Sequence, residues 1–178
     1  SRLPALEKVT FQAKLGTVAE KAERISKLAE ALAPALKADA KLSAQAGRLA
    51  KADLTSGMVY EFPELQGIMG GYYAAHDGLG EVVAAAIRNH YSPQGPDDAI
   101  PETAEGRAVA LADKLDMLAG FWSIDEKPTG SKDPYALRRA ALGILRILLE
   151  TKTRLPLRPI FETGFSLYGM KAEAQATH

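Results

Sequence analysis

Along the chain, apolar residues recur three and four positions apart and are interrupted by Pro and Gly, the pattern of amphipathic helices joined by turns. Leu15, Val18, Ala22, Ile25, Ala29 and Leu32 make one such stripe, broken at Pro34. Thr17 and Glu20 are spaced to cap its first turn reciprocally. Asp39 suits the cap of a second helix running through Leu42 and Leu49 into Lys51-Ala52-Asp53-Leu54. Pro63 and Glu64 suit the first turn of a third, in which Leu65, Ile68, Met69, Tyr72 and His76 share a face until Gly78 and Gly80 end it. Glu81 to His90 reads as a short helix with Val82, Val83, Ala86 and Ile87 inside, and residues 92–102 as a loop. The stretch from Ala104 to Trp122 is apolar nearly all round, which predicts a central, buried helix. After a second loop from Ser123 to Lys132, Asp133-Pro134 signals a helix start, with the helix ending near Glu150. A last helical stretch follows Pro159. No alternating run predicts a strand, and there is neither an internal repeat nor a linker. The expectation is an all-α, compact helical domain covering residues 1–178.

Composition narrows the class. Apolar residues make up 47% and charged residues 25% of the 178, the balance of a folded globular chain rather than a disordered one. No apolar run reaches the roughly 20 residues that span a bilayer, so no membrane partner is expected, and Ser1-Arg2-Leu3-Pro4 does not begin a secretory signal. The absence of cysteine excludes disulfides and thiolate metal sites and is compatible with a reducing cytoplasm. A first residue other than Met fits a fragment.

Net charge is zero but unevenly spread. Residues 1–126 hold 13 Lys/Arg against 18 Asp/Glu, whereas residues 127–158 hold eight basic residues against Asp133 and Glu150. The plain explanation is a solvated helix face with its loop; the sharper one is an anion-binding surface for nucleic acid backbone. Lys127, Lys132, Arg138 and Arg139 surround the Asp133-Pro134 junction, where a helix N-terminus would present backbone N–H groups to a phosphate. Against this, Asp133 would repel a phosphate, and Arg138 or Arg139 could pair with Asp133 or Asp116.

His76-Asp77 near the end of one helix and Asp113 within another are the residues most suggestive of chemistry, since a carboxylate in an apolar helix needs a partner or a cation. The trio, with Leu111-Ala112-Asp113-Lys114-Leu115, resembles the signature of HD-superfamily metal-dependent phosphohydrolases. That family carries a further histidine upstream of the His-Asp pair; here no histidine precedes His76, and Lys51 and Asp53 occupy the neighbourhood. Two expectations follow for His76, Asp77 and Asp113: a hydrogen-bonded network locking helices together, with no metal tightly bound, or a weak metal site. His90 reads as a surface or helix-end residue, and His178 is terminal. No phosphate loop, dinucleotide motif or catalytic triad is present.

Longer stretches carry a more specific resemblance. Gly57-Met58-Val59-Tyr60-Glu61-Phe62-Pro63-Glu64-Leu65-Gln66-Gly67-Ile68-Met69-Gly70, Tyr72-Tyr73-Ala74-Ala75-His76-Asp77-Gly78, Ala110-Leu111-Ala112-Asp113-Lys114-Leu115-Asp116 and the run from Lys127 to Gly143 are similar to glycyl-tRNA synthetase β subunits. The resemblance covers essentially the whole chain, in order. It implies an internal, HD-like helical domain of a longer β subunit, acting in the cytoplasm in ATP-dependent attachment of glycine to tRNA. It further implies partners in the α subunit, the remainder of the β subunit and tRNA, ATP and Mg as cofactors of the complete enzyme, none in this fragment, and no catalytic residue here. The alternative is an HD-type phosphohydrolase acting on a nucleotide or phosphodiester.

Overall fold

Each of the longer helices in the first two thirds of the chain starts where a side chain satisfies its free N–H groups, or at a glycine. In the computed structural model, which describes residues 2–169, Thr17 and Glu20 form the reciprocal cap of α1 (Val18–Leu32). Asp39 accepts from Leu42 N–H to start α2 (Ala40–Leu49), and Thr103 accepts from Gly106 N–H to start α6 (Ala104–Ser123). Between them lie α3 (Gly57–Glu61), α4 (Ile68–His76) and α5 (Glu81–Asn89). After α6 come α7 (Leu137–Glu150) and α8 (Leu157–Leu167), giving eight α-helices among the described residues. The all-α expectation holds.

The departures are small and local: the second helix, expected to continue through Leu54, ends at Leu49 and is followed by a separate 3-10 turn, Ala52–Thr55. A hairpin of β1 (Thr10–Gln12) and β2 (Gly16–Thr17) precedes α1, its strands too short to show alternation in the sequence. The helix expected from Pro63 is split: a 3-10 turn, Pro63–Leu65, ends at Gln66, and α4 begins only at Ile68. The break falls at Gly67, whose φ of 81° is open to glycine but strained for other residues.

The helix α6 is the axis of the domain. Val109, Leu111, Ala112 and Leu115 are fully buried, and α1, α2, α5, α7 and α8 all pack against it, as its all-round apolar character predicts. Its partners contribute Ile25, Leu28, Leu32, Ile87 and Ile147 to one continuous core. On the far side of α7, Leu142, Leu145 and Leu149 stay exposed. No helix of the described residues is long and apolar enough to cross a membrane.

Candidate functional site

Two helices, α1 and α5, and the turn after α2 bring polar and charged side chains together against α6. Asp113 and Asp116 lie three residues apart, on one face of that helix. Lys21 and Arg24, equally spaced on α1, meet them: Lys21 Nζ donates to Asp116 Oδ2 at 2.8 Å and lies 3.3 Å from Asp113 Oδ1, while Arg24 Nε donates to Asp116 Oδ1 at 2.7 Å. From the chain after α2, Lys51 Nζ donates to Asp113 Oδ2 at 3.2 Å and to His90 Nε2 at 3.0 Å. All six side chains are buried. Aromatic faces cover the cations: Phe11 over Lys21, Tyr91 over Lys51 and Tyr168 over Arg24.

Protonation follows from these contacts. Burial opposes charge on Asp113, but Lys51 and Lys21 outweigh it and hold the carboxyl well below the usual carboxylate range. His90 is pushed down to about 3, first by burial and then by the Lys51 ammonium. Because Lys51 donates to Nε2, the neutral ring carries its proton on Nδ1, which donates to Ile87 O. Lys114, next along α6, donates to Tyr91 O and Ser92 O, and burial pushes its ammonium down to about 8.

The expected His76, Asp77, Asp113 network is not formed. His76 and Asp77 are 89% and 72% exposed in their side chains and contact each other at 3.5 Å, whereas Asp113 is buried against lysines. The dyad falls at the C-terminal end of α4, where no further element covers it among the described residues. Among the described residues, no group of three or more His, Asp or Glu is placed to hold a metal ion. Asp113 is instead neutralised by Lys51, one of the two residues standing in the neighbourhood of the missing upstream histidine. His90, read as a surface or helix-end residue, is the C-cap of α5 and wholly buried. The i, i+3 pairs Lys21/Arg24 and Asp113/Asp116 are the signal in the sequence that points to this cluster. His178 lies outside the described residues.

The basic segment is built differently. Its helix α7 starts three residues beyond Pro134, because Ala136 takes a left-handed conformation with φ of 56°. Asp133 reaches across that turn to accept from Leu137 N–H at 2.7 Å and Arg138 N–H at 2.9 Å. The N-terminus expected to receive a phosphate is therefore filled by the protein's own carboxylate. Lys127 pairs with Asp125 at 2.8 Å and lies near the Trp122 ring. Lys132, Arg138 and Arg139 are exposed and form no ion pair among the described residues. Asp116, considered as an arginine partner, is engaged by Lys21 and Arg24 instead. A cleft of about 190 Å3 beside these groups is lined by Gln94, Asp113, Lys114, Tyr135 and Arg139, so Arg139 and Lys114 share one concavity.

The class these features define is a helical domain whose interior charges neutralise one another and which carries three exposed cations, unpaired among the described residues, around one loop-to-helix junction, with other exposed lysines such as Lys14, Lys27 and Lys41 elsewhere on its surface. Comparison with known proteins makes it specific. The family described as glycyl-tRNA synthetase beta subunit matches residues 1–178. Relatives named glycine–tRNA ligase beta subunit include one from Phenylobacterium zucineum, 61% identical over 88% of this chain, and one from Ruegeria sp., 57% identical over 92% of it. Another, from Paracoccus denitrificans, is 61% identical over 88% of the chain. The chain belongs to the glycyl-tRNA synthetase β-subunit family. It spans 24%, 24% and 23% of the lengths of these three relatives.

Proposed function

We propose that this chain is a helical domain of the β subunit of a glycine–tRNA ligase, contributing tRNA handling and scaffolding to ATP-dependent attachment of glycine to tRNA. The observation that carries the reading is the family match along the whole chain, with relatives named as that subunit at 57–61% identity. In this reading it works in the cytoplasm, with the α subunit and the remainder of the β subunit as partners. ATP and Mg are cofactors of the complete enzyme in this reading, and none is assigned to this chain. The phosphohydrolase alternative has no support: its three signature residues are divided between the surface and the core.

The tRNA contact is assigned to Lys132, Arg138 and Arg139, with Lys127 weakened as a candidate by its bond to Asp125. Exposed cations without internal partners are free to replace counterions on a phosphate backbone, and Arg139 adds a shared concavity with Lys114. The test is aminoacylation by the intact synthetase carrying Lys132→Ala, Arg138→Ala and Arg139→Ala together. The expected result is a raised KM for tRNA with glycine adenylate formation unchanged. An unchanged KM for tRNA removes this surface from the reading.

A further inference from the structure

The segment from α3 to α4 displays large apolar side chains on a fixed frame. Met58 and Tyr60 of α3, Phe62 just after it, and Ile68 and Tyr72 of α4 are all exposed, Tyr60 to 85%. The frame is pinned from inside. Asp53 Oδ2 accepts Gly67 N–H at 2.7 Å and Gly70 N–H at 3.0 Å, so residues 54–66 form an excursion closed at its base. Ser56 caps α3 by accepting from Val59 N–H, and at Gly70 an added Cβ would lie 2.8 Å from the Ile87 side chain. A backbone held in this way loses little freedom when its side chains are covered. Aromatic residues and methionine are also the types enriched where protein surfaces meet.

Charge identifies what covers them. Residues 52–87 contain five carboxylates and no Lys or Arg. Asp53 is buried, Glu81 pairs with Arg88 at 3.6 Å, and Asp77 contacts His76. Glu61 and Glu64 are exposed with no ion pair among the described residues. Arg2 lies over the Tyr73 ring at 5.0 Å, and the Arg88 side chain packs against α4 beside Gly71. An aromatic surface fringed by carboxylates repels a phosphodiester backbone and suits an apolar protein segment bearing Lys or Arg. In the relatives, the matched region is 24% of the polypeptide, so the larger part lies outside it. A segment of the same chain meets this surface in an intramolecular step.

We infer that Met58, Tyr60, Phe62, Ile68 and Tyr72 form the docking surface for an apolar, Lys/Arg-bearing segment of the longer β-subunit polypeptide. The inference rests on membership of the family and is independent of the tRNA contact proposed above. It is tested in the assembled, full-length synthetase by hydroxyl-radical footprinting, together with a benzophenone amino acid placed at position 60. Tyr60, Phe62 and Tyr72 are expected to label several-fold more slowly than free side chains. The cross-link is expected to fall within the same polypeptide, outside these 178 residues, on a peptide carrying apolar and basic residues. Glu61→Lys with Glu64→Lys, both at exposed positions, is expected to raise labelling several-fold and abolish the cross-link. Labelling at the free rate with no cross-link overturns the inference. So does a cross-link to tRNA, to the α subunit or to a second copy. Because tRNA affinity is measured on the same preparations, failure of the tRNA reading is seen separately from failure of this one.

Discussion

Two groups of cations in this chain have opposite fates. Lys21, Arg24 and Lys51 are buried and direct their charge at Asp113 and Asp116 at 2.7–3.3 Å. Lys132, Arg138 and Arg139 are exposed with no carboxylate paired to them among the described residues. Asp133, next to Lys132 in the chain, is turned to the backbone of α7. Buried charges must be satisfied within the fold, since each costs several kcal/mol to desolvate unpaired, so the first group ties α1, the turn after α2 and α6 together. The second group is hydrated, contributes little to the fold, and is available to a ligand. Residue type alone does not separate structural from functional charge; what separates them is whether a partner inside the molecule has claimed it.

The largest expected effect comes from breaking the buried group. Asp113→Ala leaves Lys51 and Lys21 without one of their carboxylates and is expected to cost about 3–5 kcal/mol in unfolding free energy, measured by urea titration. Replacing the pair together, Lys51→Met with Asp113→Leu, is expected to cost less than Asp113→Ala alone, because fewer charges are then left buried and unpaired. Next in size is the effect of pH. His90 has a folded value near 3 against 6.5 unperturbed, so between these values the unfolded chain binds more protons and stability falls as pH is lowered. Stability from this source is fully present above 6.5 and declines by up to about 1.4 kcal/mol per pH unit below it. Asp113, also depressed, adds to the decline in the same direction once pH falls through its ordinary 3.8. His90→Gln, which can still accept from Lys51 but does not titrate, is expected to flatten unfolding midpoints between roughly pH 7 and 5. The smallest effect is expected at the surface: His76→Ala and Asp77→Ala should each change stability by no more than about 0.5 kcal/mol. A destabilisation of several kcal/mol in His76→Ala would restore that residue to the internal network.

How much of this is legible in the sequence depends on the range of the signal. Thr17 with Glu20, Asp39 with Leu42, and the apolar wrapping of residues 109–121 are local patterns that the structure reproduces, whereas Trp122, expected inside with them, is exposed. The Asp133 cap is legible too, but not its reach over a left-handed Ala136, because that conformation is set by the whole turn and not by the Asp-Pro pair. Asp113 stands out as a carboxylate in an apolar helix, yet its partner Lys51 lies 62 positions away and Lys21 is more distant still along the chain. His76-Asp77 draws attention by motif, while His90, at a helix end, draws none. Packing reverses their standing, leaving the first pair uncovered and sealing His90 beneath Tyr91, ring centroids 3.9 Å apart.

The division of charge is tested most directly by the salt dependence of tRNA binding to the intact synthetase. With Lys132→Ala, Arg138→Ala and Arg139→Ala, the log–log slope of affinity against salt is expected to flatten by roughly 0.7–0.9 for each phosphate no longer neutralised. The folding of the variant is expected to match wild type, because these side chains form no ion pair among the described residues. A variant that binds tRNA with the wild-type affinity and the wild-type salt slope contradicts the account.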